Sequence, residues 1–221
     1  FSRPELFQSK SLRSVKVNLL QVLAEIARPD FDLDLIEQAI ARDVSISYKL
    51  LRYINSALFN TVNEISTIRH AILLLGRKEF RNFIGLLLTG EIASDKPLEL
   101  TRVALVRGRF CEQIAIQSGK SKESSEYFLL GLFSLLDAML DTGMAVVLEK
   151  LPLQERLKHA LLTDEGELAE YLKLVRAYER GDWQGINDLL ELLELGDADS
   201  MMCYLDAIAW GDQMVNLKPA D

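Results

Sequence analysis

One stretch constrains this chain more than any other: Glu126-Tyr127-Phe128-Leu129-Leu130-Gly131-Leu132-Phe133-Ser134-Leu135-Leu136-Asp137-Ala138-Met139-Leu140. Besides the Tyr127 hydroxyl, its only polar side chains are Glu126, Ser134 and Asp137. Wound at about 100° per residue, those three fall within one strip about 80° wide, and apolar groups cover the remainder. A helix apolar on nearly every side has to be surrounded by other helices, so the stretch predicts the middle of a many-helix domain. It is too short to cross a bilayer, which takes about 20 apolar residues. The pattern predicts one core helix over 126–140, stopped by Asp141-Thr142-Gly143, with Phe133 and Leu136 almost fully buried.

The rest of the chain has the same period. Leu12, Val15, Leu19, Val22, Leu23 and Ile26 make one helical face that stops at Pro29. Asp32 or Asp34 can cap a short helix with Leu35, Ile36, Ala39 and Ile40 inward. Ser45 or Ser47 opens a third helix that ends near Asn55-Ser56, and residues 60–65 read as a loop. Ser66 caps a helix over 67–75 that a left-handed Gly76 closes, and 78–92 follows with Phe80, Phe83, Ile84, Leu87 and Leu88 inward. Pro97 starts a helix that runs to Gly119. After the core stretch come 144–148, a break at Leu151-Pro152, and four helices over 154–162, 167–179, 184–193 and 199–215, separated by Gly166, Gly181 and Gly196. No segment alternates with period two over more than a few residues. The prediction is an all-α bundle of about a dozen helices: residues 1–10 the tail of something upstream, 11–152 the helical core, and 153–221 an acidic lobe with room for a small subdomain.

Charge narrows the function. The formal net charge of −8 and a pI near 5.0 disfavour nucleic acid, whose phosphates need a basic face. The charge is uneven: residues 1–153 balance at +1, while 154–221 carry 6 basic and 15 acidic side chains. That lobe reads as a solubilising surface, or else as an electrostatic docking face. Cys111 and Cys203 each sit in an apolar helical pattern, which predicts two buried thiols in a reducing compartment. No secretory signal or membrane span is apparent, so the cytoplasm is the expectation.

Chemistry is mostly missing. His70 and His159 have no partner at a metal-ligand spacing. The Gly85 and Gly90 pair lies within a helix without the Lys-Ser/Thr of a phosphate loop, and close helix packing explains it. Two basic clusters remain: Arg69, His70, Arg77, Lys78 and Arg81 around Gly76, and Arg102, Arg107 and Arg109 on the helix before the core stretch. They are either solvated faces with partners at Glu112 and Asp137, or anion contacts made at helix ends.

Several segments resemble the HDOD domain, the HD-related output domain of bacterial signalling proteins. They are Ser45-Ile46-Ser47-Tyr48-Lys49-Leu50-Leu51-Arg52-Tyr53-Ile54-Asn55-Ser56-Ala57, then Ile65 through Gly76, and Lys78-Glu79-Phe80-Arg81. The later segments Arg107-Gly108-Arg109-Phe110-Cys111-Glu112, Leu129 through Asp137 and Ala177-Tyr178-Glu179-Arg180-Gly181-Asp182-Trp183 are similar to the subgroup that follows an EAL domain. Phe1-Ser2-Arg3-Pro4 is similar to the closing residues of such an EAL domain, whose relatives hydrolyse cyclic di-GMP.

The resemblance implies a fold kept after its catalysis was lost. Active HD enzymes carry an adjacent His-Asp pair on the helix equivalent to the core stretch, where this chain has Ser134-Leu135. A divalent-metal hydrolase needs ligands that hold the ion and acidify its water, and Leu135 can do neither. The implied function is a non-catalytic output module that binds partner proteins or regulates an attached EAL domain, with no cofactor, metal site or catalytic residue. The alternatives are a nucleotide- or anion-binding sensor, or a residual HD-type phosphohydrolase. Expected partners are an upstream EAL domain in cis and an unknown signalling protein, with homodimerisation open and no nucleic acid or membrane. Candidate contact residues are Arg69, Arg77, Lys78, Arg81, Arg107 and Arg109, with structural roles for Asn55, Ser134 and Asp137. Asp137 is expected to pair with Arg107 or Arg109, and reversal of Arg77, Lys78 and Arg81 is expected to leave stability almost unchanged, as for exposed charges.

Overall fold

The computed structural model describes residues 14–28, 30–41, 67–151 and 153–216, and among them the chain forms eleven helices and no strand. Helix α1 (Ser14–Ala27) buries Leu20, Leu23 and Ile26. Helix α2 (Leu33–Ala41) is capped by Asp32, whose Oδ1 accepts the amides of Asp34 at 2.8 Å and Leu35 at 3.3 Å. Ile36 and Ile40 point into the core, so Leu35, about 100° round the helix from Ile36, is left mostly exposed rather than inward. The helix expected over 45–56, the loop over 60–65 and Asn55 lie outside the described residues.

Helix α3 (Ile68–Ile92) is two helical segments that meet at Gly76, where the sequence places the boundary. Its cap is Thr67, whose Oγ1 accepts the His70 amide at 3.2 Å, and Ser66 lies outside the described residues. Gly76 kinks it at φ 75° and ψ 162°, a region almost closed to residues with a Cβ. The expected left-handed turn would have had ψ near 47°. The kink lets the chain continue into a second helical segment, which buries Phe80, Phe83, Ile84 and Leu88.

Helix α4 (Leu98–Gln117) starts directly after Pro97. The core stretch then forms two helices, α5 (Ser124–Phe133) and α6 (Leu136–Leu140), not one. The break begins at Ser134, whose hydroxyl donates to the Gly131 carbonyl at 2.7 Å while its amide turns to the same oxygen. A side chain that competes for a backbone acceptor loosens a helix at that point. Leu135 leaves helical geometry at φ −127° and ψ 13°, and Leu136 restarts it. Phe133 and Leu136 are nonetheless fully buried. Helices α7 (Met144–Glu149), α8 (Glu155–Thr163), α9 (Glu167–Arg180), α10 (Trp183–Leu192) and α11 (Asp197–Asn216) complete the chain. Gly181 closes α9 in the left-handed region, but Glu194 rather than Gly196 takes that conformation before α11.

The centre of the bundle is the crossing of α4 and α5. A Cβ on Gly131 would overlap the Arg107 carbonyl group and the Gly108 nitrogen, and one on Gly108 would sit 2.9 Å from the Phe128 carbonyl oxygen. The two helices therefore meet backbone to backbone, which only glycine allows. Gly85 on α3 makes similar room for the Phe128 ring, 3.2 Å from where its Cβ would be. Helix α11 packs along α4, with Gly211 against Val106. Phe110, Tyr178 and Tyr204 form an aromatic trio with centroids 4.9–5.7 Å apart that fastens α9 and α11 to α4. Cys111 and Cys203 are buried free thiols, and burial pushes the Cys111 thiol up to about 12.

Because overpacking a tight crossing forces backbone shifts, Gly131→Ala should destabilise the protein by about 1–3 kcal/mol or more. Gly143 has open space around it, and Gly143→Ala should cost within about 1 kcal/mol. Urea unfolding of both variants checks this, and equal midpoints would mean that α4 and α5 do not cross so closely.

Candidate functional site

The candidate site is the end of α5, where the resemblance puts the metal ligands of active HD enzymes. Gly131 sets α5 against the α4 backbone at Arg107, which brings the Arg107 side chain beside Ser134, three residues further along. Arg107 is 1% exposed, and its guanidinium bonds only within the fold. Its Nε and Nη2 donate to the two carboxylate oxygens of Glu179 on α9, both at 2.7 Å, and its Nη1 donates to Ser134 Oγ at 3.1 Å. Ser134 Oγ in turn donates to Gly131 O, so its proton and one lone pair are both engaged within the fold. Leu135 is buried in the hydrophobic core. A guanidinium and its carboxylate thus fill the space beside Ser134, and neither residue of the Ser134-Leu135 pair is offered to a cation. Among the described residues no three His, Cys, Asp or Glu side chains stand together as a metal-binding set.

The other polar groups of the core stretch are also committed. Glu126 accepts a two-pronged contact from Arg156 on α8, with Nε to Oε1 at 2.8 Å. Asp137 does not pair with Arg107 or Arg109. Its Oδ1 accepts the Ala138 amide at 2.8 Å, and the non-helical Leu135 takes it off the strip that an unbroken helix would have formed. Burial holds the Asp137 carboxyl above the ordinary carboxylate range.

The basic clusters are fasteners as well. Arg69 pairs with Asp34 and Glu37, tying α3 to α2. Arg77 donates to Phe31 O at 2.8 Å and lies 4.2 Å over the Phe31 ring, a cation–π contact. Arg81, expected at the surface, is 5% exposed. It donates to Ile26 O at 2.6 Å, to Arg28 O at 3.3 Å and to Ser125 Oγ, closing the end of α1 with backbone contacts. Burial lowers its affinity for the proton. Reversing Arg81 would therefore break the fold, contrary to the expectation of a neutral change. Arg109 donates to Glu112 at 2.8 Å and lies 5.7 Å from the Trp210 ring. The Lys78 side chain lies outside the described part of the structure, as does Asn55. His70 and His159 are both exposed. Sequence reasoning missed Glu179, Arg156 and the Arg102–Asp212 pair that ties α4 to α11.

A buried ion pair is costly to break from one side and cheap to replace as a unit. Arg107→Met should destabilise by about 3–5 kcal/mol, by leaving the Glu179 carboxylate short of its partner. Arg107→Met combined with Glu179→Leu should recover most of that loss. Chemical denaturation of the two single variants and the double variant measures the coupling, and strictly additive losses would contradict the assigned fork.

The comparisons agree with this geometry. The HDOD domain matches residues 12–173. The chain is 36% identical over 196 residues to the cyclic di-GMP phosphodiesterase CdgJ of Vibrio cholerae serotype O1, covering 89% of this chain and 45% of that protein. It is 27% identical over 221 residues to the uncharacterized protein YuxH of Bacillus subtilis strain 168, covering 99% of this chain and 53% of that protein. The chain thus spans about half the length of the curated relatives it matches. No solved structure matches it. An all-helical core, a filled space beside Ser134 and a match over residues 12–173 agree: the chain belongs to the HDOD domain family.

Proposed function

We propose that this chain is a non-catalytic signal-transduction module that acts through protein contacts, regulating an EAL-type cyclic di-GMP phosphodiesterase domain joined to it or a separate signalling protein. The observation that carries the reading is the use of Ser134 and Leu135 by the fold, one bonded to Arg107 and Gly131 and the other in the core. With those positions closed, what such a domain does must pass through its surfaces. Support for the EAL partner comes from the Vibrio relative, which is named a cyclic di-GMP phosphodiesterase and is about twice as long as the matched part. The cytoplasm is the compartment we assign on the same grounds, and no described helix is long and apolar enough to cross a membrane. The anion-sensor alternative loses support, because Arg69, Arg77, Arg81, Arg107 and Arg109 all hold contacts within the fold.

An EAL domain fused ahead of residue 1 should hydrolyse cyclic di-GMP at a rate that differs from the free EAL domain by about fivefold or more, the low end of an ordinary coupling free energy. The chain alone should hydrolyse none. Equal rates with and without the chain would sink regulation of an attached EAL domain, and hydrolysis by the chain alone would sink the non-catalytic reading.

A further inference from the structure

The outer face of α11 is apolar where a solvated helix should be polar. Ala198, Met202, Leu205 and Ala209 follow one another at intervals of four, three and four residues, the spacing of a single helical stripe. All four are exposed, Met202 by 57% and Leu205 by 51%. The inner face of the same helix is fully occupied by Cys203, Ala207, Gly211 and Met214 against the bundle, so the stripe is not a share of the core. Asp199 and Asp206 border it on one side, both exposed, and Asp212, held by Arg102, borders it on the other. From Gly181 to Asn216 the chain has eight acidic side chains and no Lys, Arg or His.

We infer that the Met202–Leu205 stripe of α11 is a docking surface for a basic amphipathic helix of a partner protein. Such a helix would lay two or three apolar side chains on the stripe and set Lys or Arg against Asp199 and Asp206. Helix-in-groove recognition reads apolar anchors at this spacing, and the unbranched Met side chain adapts to the partner's shape. Charge complementarity selects the occupant. A second copy would bring the same carboxylates face to face, and an anionic bilayer would repel them. This goes beyond the regulatory reading above and moves the contact from the arginine clusters to the acidic lobe.

A fluorescent amphipathic peptide of Leu and Lys, about 18 residues or five turns long, tests it by anisotropy against the whole chain. Saturable one-to-one binding is expected, weakening as salt rises from 50 to 500 mM because screening weakens exposed charge pairs. Met202→Ser with Leu205→Ser should weaken it about tenfold or more, the size of effect that central apolar anchors carry. Asp199→Asn with Asp206→Asn should also weaken it and lower its salt dependence. These residues are exposed, so both variants should melt within a few degrees of the parent. The inference is overturned if the Leu/Lys peptide does not saturate, if a Leu/Glu peptide binds equally well, or if neither pair of substitutions changes the affinity. A dimer of the parent chain that Met202→Ser with Leu205→Ser turns into monomer would overturn it as well, by giving the face to a second copy. None of these readouts involves cyclic di-GMP hydrolysis, so this inference and the regulatory proposal fail separately.

Discussion

Gly131 of α5 rests backbone against backbone on Arg107 and Gly108 of α4. Much else follows from it. Two helices that meet with no side chain between them put the neighbouring side chains under shared cover, so Arg107 is buried whether or not a partner exists. A buried guanidinium without a partner costs several kcal/mol, since it gives up its water for nothing. Glu179 supplies two acceptors and Ser134 a third, and the arrangement becomes tolerable. That requirement in turn fixes α9 against α4, and the Phe110–Tyr178–Tyr204 trio closes around the same joint.

The same joint decides what the domain cannot do. Where the resemblance to active HD enzymes calls for ligands, this fold has an internal ion pair and a leucine in the core. Losing two ligands would leave a cavity that a later substitution could refill. Filling the space with a guanidinium is a more complete closure, because a divalent ion would meet a fixed positive charge there. The remaining arginines repeat the pattern: Arg81 bonds the carbonyls at the end of α1, and Arg77 covers Phe31. Among the described residues most arginines tie one helix to another, and exposed carboxylates collect on α10 and α11.

The helical period made most of the fold legible from residues alone. Pro97, Gly181 and the apolar faces placed helices within a few residues of where they are. The break at Ser134 was not legible, because a serine hydroxyl that bonds its own carbonyl looks the same in sequence as one facing solvent. Nor was the Arg107–Glu179 fork, whose members lie 72 residues apart. A signal was present all the same. Arg107 interrupts the stripe of Ala104, Cys111 and Ile114, and Glu179 ends the stripe of Leu168, Leu172 and Val175. A charge set in an apolar stripe has to be buried with a partner, and two such interruptions of opposite sign are candidates for each other. Sequence order points instead to Asp137 on the next helix as the partner, whereas the fold brings Glu179 of α9 to Arg107.

With the Arg107 guanidinium bonded to Ser134 Oγ, the space beside Ser134 should take no metal ion. Thermal melts of the chelator-treated chain, with and without excess Mn²⁺ or Zn²⁺, test it most directly. An ion that binds only the folded state stabilises it by about 2.7 kcal/mol at a hundred times its Kd, a shift of several degrees for a domain of this size. The expected result is an unchanged melting temperature at every ion concentration. A rise that saturates at one ion per chain, and that Arg107→Met enlarges, would contradict the account.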